Sequence, residues 1–166
     1  MCMCINYFHC CKVITLVENY ILKLKTFLEE YSYSSITFKR IKTNHIQMKA
    51  EINGIKGVFI IDTGASNTCI DLENHQLFKI FPEESLEKAS SATDEISKTM
   101  ISKKNKIKIG KWVKNNISIV LFNMSFINKT LEDQGVERVN GIIGSDLLKK
   151  GKALIDYSNN KLFLKI

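Results

Sequence analysis

In the stretch Val58-Phe59-Ile60-Ile61-Asp62-Thr63-Gly64-Ala65-Ser66, an apolar run ends on one carboxylate that opens a turn of small and hydroxylated residues. Four consecutive apolar residues, rich in β-branched types and entered through Gly57, predict a strand buried on both faces. A carboxylate at the end of such a strand is costly, because burying it ionised and without partners loses several kcal/mol. Asp62 is therefore a solvated turn residue, a hydrogen-bonded cap or a functional group. Thr63 and Ser66 offer hydroxyls, and Gly64 lets another main chain approach closely.

Further along, Asn140-Gly141-Ile142-Ile143-Gly144-Ser145-Asp146-Leu147-Leu148 sets two apolar residues and a glycine ahead of a short helical pattern. Alone, the first stretch is a turn after a core strand and the second a glycine-bounded helix start. In this order and at this separation they resemble the two signatures of the retropepsin-like, single-lobe aspartic proteases, over roughly residues 44 to 166. The resemblance implies a mostly β fold: a single-lobe acid-protease barrel with a short helix after the second signature. It implies Asp62 as the catalytic group, supported in its loop by Thr63, Gly64, Ala65 and Ser66 and from behind by Ile142, Ile143 and Gly144. It also implies a polypeptide substrate, a homodimer, and chemistry that uses neither a cofactor nor a metal.

The same resemblance makes the polar stretch between Glu83 and Ser102 the flap that folds over substrate, with Ala92, Thr93 and Asp94 as its candidate tip residues. Retroviral flaps are glycine-rich, whereas this stretch has no glycine. Retroviral enzymes also pair an acidic residue after Asp-Thr-Gly-Ala with an arginine after the second-signature glycine. Here those positions are Ser66 and Ser145, so both charges are absent together and neither is left buried without a partner.

Upstream, Ile46, Met48, Ala50 and Ile52 alternate with polar residues as in a half-buried strand, and Asn53-Gly54 is a two-residue hairpin signal. The hairpin feeds Ile55 to Ile61 straight into Asp62 and so sets the direction in which the carboxylate leaves the sheet. Ser34 to Lys42 has weak strand character, Asn67 to Asp71 is expected to continue as a strand, and Leu72 to Phe81 to hold a short helix. Lys104, Lys106 and Lys108 alternate with Asn105, Ile107 and Ile109, which predicts a strand with a solvated lysine edge. A second strand follows through Trp112 and Leu121. Phe126 to Gly135 reads as a loop with a helical turn, and the Asn-x-Ser/Thr triplets at Asn116, Asn123 and Asn128 carry no information without a secretory route. Ala153 to Tyr157 and Lys161 to Ile166 form a closing hairpin; in retropepsins the terminal strands interleave across the dimer, although other single-lobe relatives dimerise differently.

Four of five cysteines lie in the first eleven residues, in no standard zinc spacing, and no secretory pattern precedes Lys12. From Lys12 to Tyr31 apolar residues recur at helical spacing, predicting an added amphipathic helix. The organisation expected is thus an N-terminal segment, 1–32, and a protease domain, 33–166. The helix carries both charge signs on its polar positions, which points to protein packing and away from a membrane surface. A net charge of +7 speaks to association only. The lysine row lacks interleaved aromatics, so nucleic acid is not an expected partner. Cysteine usage and the missing signal point to a cytoplasmic setting.

Retropepsin chemistry needs two carboxylates sharing a proton. Asp71, Asp94, Asp133, Asp146 and Asp156 are not followed by Ser/Thr and Gly. The second carboxylate must come from Asp62 of another copy. The expected function is a homodimeric aspartic endopeptidase; the alternative is a non-catalytic dimerising or peptide-binding module that keeps the fold.

Overall fold

The computed structural model describes residues 23–84 and 99–166, the side chain of Glu84 excepted. A helix covers residues 23–30 (α1) and leads into β1 (Tyr33–Thr37). Strands β2 (Lys39–Arg40), β3 (Ile46–Ile52), β4 (Ile55–Ile61) and β5 (Cys69–Asp71) follow, then a 3-10 turn at Leu72–Asn74. Next come β6 (Glu83–Glu84), β7 (Met100–Ile109), β8 (Trp112–Phe122), α2 (Ser125–Asp133) and β9 (Gly141–Ile143). The chain closes with α3 (Ser145–Lys150), β10 (Leu154–Asp156) and β11 (Lys161–Lys165).

Strands β3, β4, β9, β5, β8 and β7 are neighbours in that order, and β3 pairs again with β7 through Glu51↔Lys108 and Ile52↔Ile107. The sheet therefore closes into a six-stranded barrel, which removes its open edges. Alternation on β3 points Ile46, Met48, Ala50 and Ile52 inward, where they meet Phe59, Ile61, Ile107 and Ile119. The Asn53-Gly54 hairpin forms as expected, with φ of 50° and 85° at its two central residues.

The end of β4 is buried on both faces for a visible reason. Phe59 and Ile61 face the barrel core, while Ile60 faces a second apolar cluster with Met124, Leu131, Val136 and Val139. Most of that second layer comes from α2 and the loop behind it. Phe126 to Gly135 is thus not a loop with a helical turn, as expected from its sequence, but a helix of nine residues. It runs to the positive-φ Gly135, which closes it with a bond from Gly135 N to the Glu132 carbonyl, 2.8 Å. The sequence conceals the helix because its inward stripe is short, and Phe126 beside it points outward, 81% exposed.

Two other expectations need adjustment. The strand in Asn67 to Asp71 is confined to its last three residues, because Asn67 and Thr68 belong to the turn that the second signature packs against. The lysine row lies on β7, which is no edge: β8 pairs along it and β3 closes the barrel against its end, where Lys108 reaches Glu51 at 3.5 Å. The terminal strands form a three-stranded sheet within the chain, with β11 between β1 and β10. The expected helix of Lys12 to Tyr31 is present over residues 23–30, with Leu28 buried; its earlier part and the cysteine-rich start lie outside the described residues.

Candidate active site

Asp62 stands one residue beyond β4, where the hairpin aims it. β4 runs parallel to β9, with Ile60 beside Ile142 and Ile61 beside Ile143. The Asp62 amide continues that ladder by donating to the Ile143 carbonyl at 3.1 Å. One signature thus holds the other at the residue that carries the carboxylate. The turn then curls back: Gly64 N donates to Asp62 Oδ1 at 2.8 Å and Ala65 N to the Asp62 carbonyl at 3.3 Å. Asp62, Thr63, Gly64 and Ser66 are exposed and Ala65 is half-buried. The carboxylate faces solvent on a loop whose backbone is fixed.

The second signature supplies the support. Ile143 and Gly144 are buried and Ile142 is half-buried. A Cβ at Gly144 would lie 2.6 Å from the Asn67 carbonyl group and 2.9 Å from the Ala65 oxygen, so only glycine lets the two turns approach this closely. Gly141 is similarly constrained, since a Cβ there would press on the Cys69 carbonyl. Ser145 N donates to the Ala65 carbonyl at 2.8 Å, and Ser145 Oγ lies 3.4 Å from the Ser66 carbonyl. The positions that carry a charged pair in retroviral enzymes do meet here, through neutral hydrogen bonds.

Two polar networks are not legible in the sequence. Thr68 is fully buried; its Oγ1 donates to Asp146 Oδ1 at 2.8 Å and accepts from Gly144 N at 3.1 Å. It is the side chain that pins the candidate active-site turn to the start of α3. Deeper, Asp71 is buried and accepts from Asn128 Nδ2 at 3.2 Å and Met124 N at 3.3 Å. Asn128 in turn exchanges two bonds with the backbone of Val139, and Asn140 Oδ1 accepts from Val58 N at 2.8 Å. Asn128, in sequence only part of a sequon, ties α2 to the approach of β9. Its signal is an amide next to an apolar stripe, which has many meanings until a partner 57 residues away is known.

Cys69 is half-buried and a free thiol, its Sγ 3.2 Å from the Asn67 carbonyl. Burial, and then the negative charge of Asp146, push its pKa up to about 12. A thiol shifted this far is a weak nucleophile near neutral pH. Among the described residues no cluster of three or more His, Cys, Asp or Glu side chains could hold a metal ion. The flap candidates Ala92, Thr93 and Asp94 lie outside the described residues. On either side of them β6 and β7 pair antiparallel, Glu83↔Ile101 and Glu84↔Met100.

A closed six-stranded barrel with Asp-Thr-Gly at the end of one strand and Ile-Ile-Gly beside it in parallel is the retropepsin-like arrangement, a single lobe of the acid-protease fold. The chain belongs to the aspartyl protease family, whose model matches residues 48–147. Among solved structures, a retropepsin-like aspartic protease from Rickettsia conorii is 22% identical, with a TM-score of 0.52 over 80% of this chain and 90% of its own. The retroviral protease-like domain of Ddi1 from Leishmania major is 13% identical, with a TM-score of 0.50 over 72% and 87%. These likenesses are of fold. No curated protein matches the sequence.

Proposed function

We propose that this chain is a homodimeric aspartic endopeptidase in which Asp62 from each of two copies forms the catalytic pair. The observation that carries the reading is the exposed Asp62 carboxylate on a turn locked by the second signature, in a chain with no other Asp-Thr-Gly. A catalytic group exposed on one copy is where a second copy and a substrate can both reach it.

Two carboxylates brought together cannot both stay ionised, so they hold one proton between them and titrate as a pair. The ionised one takes a proton from a bound water as its oxygen attacks the scissile carbonyl carbon. The protonated one donates to the carbonyl oxygen, giving a neutral tetrahedral diol. Proton transfer to the amide nitrogen then breaks the C–N bond, and the products are a carboxylic acid and an amine. Gly64 N–H, bonded to Asp62 Oδ1, fixes the carboxylate's orientation. Thr63 braces the paired loops, and Ala65 and Ser66 carry the contacts to Ser145 that keep the turn rigid. The flap assigned by resemblance to Ala92, Thr93 and Asp94 belongs to this proposal too, and those residues lie outside the described ones.

In this reading residues 33–166 are the protease domain and 1–32 an added segment, whose helix supplies Leu28 to the fold. The free Cys69 thiol is compatible with a reducing, cytoplasmic setting. Among the described residues no helix is long and apolar enough to cross a membrane. The glycine-free stretch between Glu83 and Ser102 favours the alternative of a peptide-binding or dimerising module without turnover.

Asp62→Asn separates the two. It keeps the side chain's shape and removes the base and the shared proton, so peptide hydrolysis should vanish while the melting temperature stays within a few degrees of wild type. Activity should also fall faster than linearly on dilution, because only the dimer holds the pair. Undiminished turnover by purified Asp62→Asn would refute the proposal, and a wild-type dimer that binds peptides without cleaving them would establish the alternative.

A further inference from the structure

Lysines in a row along a strand have a ready explanation when the strand is an edge, where they discourage pairing with other chains. β7 has no such need. β8 runs along it, β6 pairs with its first residues and β3 closes the barrel against its far end. The fold also makes the row denser than alternation alone would. Asn105, Ile107 and Ile109 are buried, so Lys104, Lys106 and Lys108 point out of the barrel. An irregularity between Ser102 and Asn105, with Lys104 at a φ of 62°, leaves Lys103 exposed as well.

The neighbouring strands extend this charge sideways. Lys108 stands opposite Glu51 of β3, and Glu51 opposite Lys56 of β4. Lys56 is exposed, as is Lys49, which shares the outward face of β3 with Glu51. Six outward lysines thus surround one carboxylate, and Lys108 to Glu51 is the one ion pair they make among the described residues. The chain supplies no acid to neutralise the rest: from Ile96 to Leu131 it has eight lysines and neither Asp nor Glu.

The chemistry of the face selects its partner. Single-stranded nucleic acid is held by aromatic platforms beside the charges, and Trp112, next to the row, is buried. Forked recognition of phosphate uses arginine, and none lies between Arg40 and Arg138. A lipid surface takes apolar side chains between the cations, and the outward residue opposite Lys108 is Val113, a small one. Point charges at regular intervals remain. Alternate residues of a strand repeat about every 6.7 Å, and so do the alternate side chains of an extended peptide. We infer that this face is a docking site for an extended acidic polypeptide segment, its carboxylates at alternate positions matching Lys104, Lys106 and Lys108. The partner lies across the outer face of the barrel, because the β7 ladder is already occupied. Lys56 and Asp62 are six residues apart on β4, or about 20 Å, so docking and the candidate active site are separate, and the inference does not depend on catalysis.

Lys104→Gln/Lys106→Gln/Lys108→Gln tests this in the full-length chain, with a fluorescein-labelled peptide of alternating Glu and Thr as the probe in fluorescence anisotropy. The three sites are exposed, so the circular dichroism spectrum should be unchanged, while the dissociation constant rises about tenfold or more and its salt dependence flattens. Lys39→Gln/Lys129→Gln/Lys165→Gln removes the same charge at exposed sites elsewhere and should bind as wild type. As an independent arm, carbodiimide should couple probe carboxylates to lysines within residues 103–108, mapped by peptide mass spectrometry; this arm decides if the first variant misfolds. A wild type that ignores the probe, equal weakening by both triple variants, or adducts spread evenly over the surface would overturn the inference. So would tighter binding of oligothymidylate or phosphatidylserine vesicles than of the peptide, which would assign the face to nucleic acid or membrane. Asp62→Asn should bind the probe as wild type does, so a failure of the protease reading and a failure of the docking face are read separately.

Discussion

Thr68→Val isolates the link between the two signatures. The substitution keeps the shape of a fully buried side chain and deletes one oxygen that makes two bonds, 2.8 Å to Asp146 and 3.1 Å to Gly144 N. Gly144 N–H is then left buried with no acceptor, which costs about 1–3 kcal/mol. Loss of a donor to a carboxylate adds about 1.5 kcal/mol, the low end for a bond to a charged group because Asp146 is half-buried and water can replace the hydroxyl. Together these give about 3 kcal/mol, or a melting temperature lower by about 6–12 °C in a chain of this size. Urea unfolding should be measured at fixed protein concentration, since association stabilises the folded form by mass action. Thr68→Ser keeps the hydroxyl and should lose only the buried methyl, about 1 kcal/mol. Catalytic turnover should fall more in Thr68→Val than in Thr68→Ser, because the hydroxyl fixes the turn that carries Asp62. A Thr68→Val protein within about 0.5 kcal/mol of wild type, or no more destabilised than Thr68→Ser, would refute the claim that this hydroxyl joins the signatures.

Gly144→Ala should be among the most disruptive small substitutions, costing about 3 kcal/mol or more in urea unfolding, since the atoms its Cβ meets at 2.6 Å are backbone and cannot swing aside; a melting temperature within about 2 °C of wild type would contradict that. With its pKa pushed from an ordinary 9.0 to about 12, Cys69 at pH 8 should carry about a thousandfold less thiolate than a free cysteine and react correspondingly slowly with a disulfide reagent, as followed at that site by peptide mapping. The linked stability has a definite sign: the neutral thiol is favoured by the fold, so its contribution is complete below about pH 9 and declines as pH rises toward 12, a decline that Cys69→Ala should remove from the pH dependence of unfolding.

The local signals that sequence alone decides are those whose partners are close along the chain or whose geometry is dictated by residue type. Asn53-Gly54 demands positive φ at both positions, so the hairpin and the aim of Asp62 follow from two letters. Alternation on β3 and the unbroken apolar run on β4 encode one buried face and two, and the structure has one and two. The signatures are recognisable because each is a contiguous string. What sequence cannot give is who stands opposite whom. Thr68 is unremarkable until Gly144 and Asp146 arrive 76 and 78 residues later, and Asn128 is an idle sequon until Asp71 is beside it. The pairing of β11 with β1 joins the two ends of the described chain, Tyr33 to Lys165. Strand periodicity says which face is buried but is silent on which strand lies alongside. Only tertiary packing chose to set β11 between β1 and β10, with β11 the one partner of β10 among the described strands.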